Sequence, residues 1–420
     1  MQIKQLSSGV EGCFVKTNKF KTSRISVNMY IDADEFDATA YSLLSMILVS
    51  ETVDYPDYLS LNAYLKQMYS ATFTSDVLKL GDMRVVRFII SFLDDKYTLE
   101  NENVSEKAIE LLLSACFSPP LENGLFKTES FENQKRVLIE QIEGNINEKR
   151  TYAIISTEKE MYKNENAGVY RYGSVDVAKK LQNKDLVLAH KKLLENSFVR
   201  VNVIGPSEPD SIYEKIDSCF SKLNRNVKKH NSTVPHVFSG EKREIFEQMD
   251  VTQGKLCMGF VFDELTSRMD KAKAAVCVDL FGGGPYSKLF TNVREKQSLC
   301  YYCAARGNLP KNSFMVDCGV LQENKQKAYL GILEQLELIK SGEVTDEELL
   351  ASKTAICDQL NSVKDMLSSI DSWYASNVFY ENEKLDDYIG YIGSVTKQDV
   401  IDMANKISLD IVFFLGSNKE

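Results

Sequence analysis

Among the side chains that could do chemistry, the most concentrated run is LFGGGPYSKLFTNVREKQSLCYY, residues 280–302. It sets Gly282, Gly283, Gly284 and Pro285 ahead of a basic amphipathic stretch. Glycine permits positive φ and proline presets φ for a first helical turn, so a helix is expected to start at Pro285. Leu289, Phe290 and Val293 recur at helical spacing as its buried face, which leaves Lys288, Arg294 and Lys296 on or beside the exposed side. Arg294 and Tyr301 then stand seven positions apart, at either end of the turn that leaves this helix. A guanidinium offers a planar donor fork to a carboxylate or carbonyl, and a phenol can donate to a developing oxyanion. The plain alternatives are a surface ion pair of Arg294 with Glu295 or a neighbouring helix, and a half-buried strand aromatic for Tyr301. The glycines match neither the P-loop nor the dinucleotide-binding spacing, which sets a phosphate cradle aside.

Histidine is scarce: His190, His230 and His236 are the only three, and the first 189 residues hold none. His230 and His236 fall in a polar, basic run, 224–241, that reads as a linker with solvated side chains. The nine cysteines, at 13, 116, 219, 257, 277, 300, 303, 318 and 357, are an odd number placed mostly in apolar segments, as reduced thiols of a cytosolic core would be. Cys300 and Cys303 form a single C-x-x-C, a weak zinc or redox signal because zinc would need a second pair.

These residues need elements to position them. Alternation in RISVNMYI, 24–31, predicts a half-buried strand, and a helix follows from about Asp37 with Ala40, Leu43, Leu44, Ile47 and Leu48 as its buried stripe. Further helices are expected at 58–69, 106–117, 130–162, 183–196 and 210–223, and strands at 71–80, 84–93 and 199–204. RVNVIGP, around Gly205, returns as IVFFLGS around Gly416; NKDLVLAHKKL returns as KQDVIDMANKI, and RVVRFIISF as SFMVDCGVL. Three matches in the same order indicate a duplicated domain of about 200 residues. The expected organisation is α+β: two tandem homologous domains, 1–205 and 246–420, joined by a helix and polar linker over 206–245. Each should be an antiparallel-dominated sheet with helices packed on one face.

Length fits this, since single cores stop growing near about 250–300 residues and the chain has 420. A net charge of −10 argues against a nucleic-acid partner. No apolar run approaches the length of a membrane span, and no signal-peptide pattern opens the chain, so a cytoplasmic protein is expected.

The string GGGPYSKLFTNVREKQSLCY closely resembles the C-terminal-domain signature of the pitrilysin/insulinase and mitochondrial-processing-peptidase family of zinc peptidases, the inverzincins. In that family the Arg-x6-Tyr pair helps bind substrate, and here it is intact as Arg294 and Tyr301, with Gly283 and Gly284 beside it. The resemblance implies a zinc motif, His-x-x-Glu-His, on the helix after the first strand. YSLLSMILVSET puts Ser42 and Met46 in place of the histidines and Ser45 in place of the Glu. The third ligand would fall at Gln141, with Gln134 seven residues before it, while a slip of one residue would offer Glu140. The resemblance therefore implies a chain with no catalytic residue and no metal of its own. It would be the substrate-binding subunit of a clamshell-forming, heteromeric peptidase, with zinc held by a bacterial paralogue, for peptide processing or maturation. A homodimer is a further possibility, and a non-enzymatic peptide-binding or assembly protein is the alternative reading.

Overall fold

The first strand of the core explains the layering around it. In Thr22–Asp32, Ile25, Val27, Met29 and Ile31 point to one side and Ser26, Asn28 and Tyr30 to the other, yet all are buried. A strand covered on both faces needs packing elements on both. The computed structural model describes residues 1–228, 233–380 and 383–417.

In chain order the strands and helices are β1 Gln2–Gln5, β2 Val10–Lys16, β3 Thr22–Asp32, α1 Glu35–Leu48, α2 Tyr58–Gln67, β4 Thr72–Leu80, β5 Met83–Leu93, α3 Val104–Phe117, β6 Leu121–Glu122 and β7 Leu125–Phe126. They continue with α4 Thr128–Gly144, α5 Lys149–Met161, α6 Val175–Lys180, α7 Asn183–Asn196, β8 Phe198–Gly205, α8 Asp210–Phe220, β9 Arg243–Gln248, β10 Gly254–Phe262 and α9 Arg268–Gly282. The rest are β11 Cys300–Asn308, β12 Ser313–Val320, α10 Lys325–Lys340, α11 Asp346–Ser362, α12 Leu367–Ser376, α13 Leu385–Ser394, α14 Lys397–Ala404 and β13 Ile407–Gly416.

The chain forms two compact units. The first comprises 1–143, 169–232 and 363–382; the second comprises 144–168, 233–362 and 383–420. The sheet of the first unit runs β1-β2-β8-β3-β5-β4 and that of the second β11-β12-β10-β13-β9. Read from the other edge, the second sheet is β9-β13-β10-β12-β11, the order of β2-β8-β3-β5-β4. In each, only one pairing is parallel, β2 with β8 and β9 with β13. The duplication read from the three sequence matches is thus present as topology, in the expected α+β class.

Each unit packs most of its helices on one face of its sheet and a single helix on the other. In the first unit α1, α3 and α7 join β3 and β5 in the apolar core. The other face meets α12, which comes from the second half of the sequence. Its Asp371 is fully buried and accepts from Arg24 Nε at 2.9 Å, Arg87 Nη2 at 2.6 Å, Ser26 Oγ at 2.5 Å and Asn202 Nδ2 at 2.8 Å. In the second unit the corresponding helix is α5, from the first half, whose Ala153 and Met161 pack on Cys257, Val261 and Ile411. Equivalent helices are therefore exchanged reciprocally between the two halves of the sequence.

The exchange accounts for one departure from expectation. Instead of one helix over 130–162 there are two, α4 and α5, in different units. Gly144, Asn145 and Asn147 are weak helix formers, and the Glu148 side chain accepts from the Arg150 and Thr151 amides to cap a new helix.

Candidate functional site

The glycines of the 280–302 run close α9 instead of opening the next helix, and none has positive φ; Gly283 sits at φ −78°, ψ −42°. They are needed for space. A Cβ on Gly282 would lie 2.6 Å from the Ala305 nitrogen, and one on Gly283 would lie 2.0 Å from Asp279 Oδ1. Tyr286 then donates to Asp279 Oδ2 at 2.7 Å, which closes the turn. The following helix starts after Pro285, at Lys288, and over Leu289–Lys296 it is a π-helix. Its wider ladder continues to the Gln297 amide, which donates to the Asn292 carbonyl at 3.1 Å. Such turns are rare and recur at functional sites.

Leu289 and Val293 are fully buried, as their spacing predicts. Lys288, expected on or beside the exposed side, is buried instead and pairs with Glu348 at 2.8 Å. Arg294 stays half-exposed. Its guanidinium stacks over Phe290 at 4.4 Å, and Nη1 lies 3.6 Å from Glu295 Oε1. An exposed pair of that length contributes about 0–1 kcal/mol and does not lock the side chain.

Tyr301 owes its position to a bulge. On β11, Cys300 pairs with Val320 and Tyr302 with Gly319, so Tyr301 is the extra residue. A bulge re-aims a side chain. Tyr301 is 64% exposed, and among the described residues its hydroxyl has no hydrogen-bond partner. Tyr302 instead lies under the Arg150 guanidinium at 4.1 Å and across Gly319, where a Cβ would meet its ring at 2.4 Å.

The same bulge gathers sulfur. Cys303 pairs directly with Cys318 of β12. Residues three apart on a regular strand face opposite ways, but the inserted Tyr301 returns Cys300 to the face of Cys303. The Sγ atoms of Cys300, Cys303 and Cys318 all lie within 4.8 Å of one another. Hydrogen bonds from Cys303 and Cys318, with a smaller contribution from the Arg294 charge, pull the Cys300 thiol well below its ordinary value. The C-x-x-C was visible in the sequence. Its third member was not joined to it, although the repeat already placed Cys318 on the strand that must pair with β11.

In the first unit, the positions of the zinc motif do lie on one helix, α1, started by Asp34, whose side chain accepts from the Asp37 amide at 2.9 Å. Ser42 Oγ donates to the Ala38 carbonyl at 2.8 Å and Ser45 Oγ to the Ser42 carbonyl at 2.9 Å, both buried. Met46 packs against the apolar core. On α4, Gln141 and Glu140 are exposed. Next to Tyr172, Gly173 at φ +79° packs onto α1, where a Cβ would stand 1.8 Å from Thr39 Oγ1. The 173–174 segment thus packs on the turn of α1 that precedes Ser42, where the Ser174 amide donates to Thr39 Oγ1 at 3.2 Å. Two hydroxyls spent on helix carbonyls, a thioether in the core and a carboxamide offer none of the imidazole or carboxylate donors that hydrolytic zinc requires. This set does not fit the metal.

His236, expected to be solvated, is buried; His230 lies outside the described residues. The His236 Nδ1 hydrogen-bonds Glu165 Oε1 at 2.5 Å, and its Nε2 is 3.5 Å from Asp410 Oδ2. Lys311 pairs with Glu165 at 2.6 Å and Arg243 with Asp410 at 2.6 Å. Burial pushes the imidazole down, but the Asp410 and Glu165 carboxylates on either side of it outweigh that and raise its pKa to about 9. The partners come from α5's trailing loop, β9, the 309–311 turn and β13, so nothing in the local sequence announced them.

Two copies of one α+β unit, the first with its zinc-motif positions filled by non-ligands and the second displaying an Arg–Tyr segment, agree in fold with the resemblance carried by residues 280–302. Residues 180–356 match the Peptidase M16 inactive domain family. Over 99% of its length the chain is 28% identical to 97% of a Bacillus subtilis protein described as a probable inactive metalloprotease, YmfF. A conserved protein of Enterococcus faecalis V583 shares the fold at a TM-score of 0.92 and 24% identity, covering 100% of this chain and 99% of that one. A Pseudomonas fluorescens peptidase M16 inactive domain does so at 0.76 and 16%, covering 99% and 98%. Along its whole length the chain is thus similar to proteins described as inactive members of the M16 peptidases. None of its described helices is long and apolar enough to cross a membrane.

Proposed function

We propose that this chain is the substrate-binding subunit of a two-chain peptidase, in which a paralogue bearing His-x-x-Glu-His supplies zinc and this chain supplies Arg294 and Tyr301. The observation that carries the reading is the placement of the pair. A π-helix and an edge-strand bulge, both departures from regular structure, carry these two side chains, with Arg294 half-exposed and Tyr301 exposed while Val293 is buried and Tyr302 stacks under Arg150. Arg294 would take a peptide carboxylate or carbonyl in its donor fork, and the Tyr301 hydroxyl would donate to the oxyanion that forms as the carbonyl is attacked. Cleavage itself would fall to the partner, since Ser42, Ser45, Met46 and Gln141 neither bind zinc nor activate water.

The test is reconstitution with a zinc-bearing paralogue from the same genome. The mixed pair should form a complex and hydrolyse peptides that this chain alone leaves intact. A paralogue that cleaves equally fast without this chain would overturn the reading.

A further inference from the structure

A cluster of sulfur in the second unit has a use of its own. We propose that Cys300, Cys303 and Cys318 hold a thiophilic d10 cation, Zn(II) or Cu(I), as a three-thiolate site clamping β11 to β12. Buried cysteines ordinarily behave as small apolar groups that need no polar company. Here three converge to within 4.8 Å, and among the described residues they are the one cluster of metal-ligand side chains. Zinc–sulfur bonds of about 2.3 Å require sulfurs roughly 4 Å apart, so small rotations about χ1 would close the set on an ion. Cys303 and Cys318 are buried and fixed by direct pairing across the strands, whereas Cys300 is only partly covered and gives an ion its way in.

The backbone supports the same conclusion. Without the bulge, Cys300 would face the opposite side of the sheet, so one irregularity both completes the sulfur set and projects Tyr301. The three thiolates would overcompensate the charge of either ion. Three sulfurs satisfy Cu(I), which accepts three-coordination, whereas Zn(II) would keep a fourth position for water or another exogenous ligand. Bound metal would hold the edge strand rigid beneath Tyr301. The proposal concerns metal binding alone and does not depend on a partner or a peptide substrate.

The experiment uses the full chain, purified reduced and metal-free, and titrated with Co(II), Zn(II) and Cu(I) under anaerobic conditions. Cobalt should give thiolate charge-transfer absorption at one equivalent, to be displaced by Zn(II), Cu(I) or both; the ion that displaces at the lower concentration is the assigned occupant. Cys300→Ser, conservative and at the accessible edge, should weaken binding at least about 100-fold. Cys357→Ser, away from the cluster, should leave it unchanged, and circular dichroism should show both variants folded. Absence of one-equivalent binding, wild-type affinity in Cys300→Ser, or an obligatory disulfide among these cysteines in the anaerobic protein would each overturn the proposal.

Discussion

Replacing Asp371 with Ala should detach α12 from the first unit's sheet. The carboxylate is fully buried and accepts from two guanidiniums, a hydroxyl and a carboxamide. The side chain of Arg87 is 2% exposed and that of Arg24 15%, so truncating their partner leaves positive charge with little water to turn to. Breaking a buried pair from one side costs about 3–5 kcal/mol, a large share of the roughly 5–15 kcal/mol that holds a domain folded. Asp371→Asn keeps the shape and one acceptor oxygen but exchanges charge-assisted bonds for neutral ones, so its cost should be smaller, about 1–3 kcal/mol. The assay is built in. Trp373, the single tryptophan, lies two residues along α12, packs with Ile370 and Tyr374 beside Cys13 and Ile204, and meets the Tyr374 ring edge-on at 4.8 Å. Urea titration followed by its fluorescence should show the Ala variant losing this signal well before wild type, with Asn between. Coincident curves for all three would refute the idea that this buried charge docks the exchanged helix.

The His236 network makes stability pH-dependent in the second unit. A group raised in the folded state from 6.5 to about 9 contributes stability that is fully present below pH 6.5 and is lost as pH rises through about 9. Thermal midpoints should therefore fall across that window, by up to roughly 3 kcal/mol in stability, and His236→Gln should flatten this dependence. A midpoint that rises over the same range would contradict the assignment. Gly173→Ala should destabilise the first unit by more than about 1 kcal/mol, because positive φ and the Thr39 contact both oppose a Cβ; an unchanged denaturation midpoint would contradict the close packing of Gly173 on α1.

Much of this was legible in the sequence because period and order are local. The α1 stripe, the β3 alternation and the three repeated segments each carried their own signal, and the duplicated topology followed. What escaped depended on partners distant in the chain. Nothing in the 224–241 run foretells that His236 meets Glu165 and Asp410. The helical period of RVLIEQI gives no warning that a Gly-Asn break sends α5 to the other unit. A bulge at Tyr301 has no residue signature either, since its cause is the register with β12, and with it went the shared face of Cys300 and Cys303. The glycine run was read as a positive-φ turn ahead of a helix; none of the three has positive φ, and Gly282 and Gly283 instead make room for Ala305 and Asp279.

The central claim, that Arg294 and Tyr301 serve a peptide cleaved by a partner's zinc, is tested most directly by hydrolysis with the reconstituted pair of chains. Tyr301→Phe removes one exposed hydroxyl and should leave folding and complex formation intact while lowering the rate about 100- to 1000-fold. Arg294→Ala should mainly raise KM, by roughly 2–5 kcal/mol in binding where the guanidinium meets a desolvated carboxylate. If both variants assemble with the paralogue and cleave at the wild-type rate, the pair has no part in the reaction and the account is contradicted.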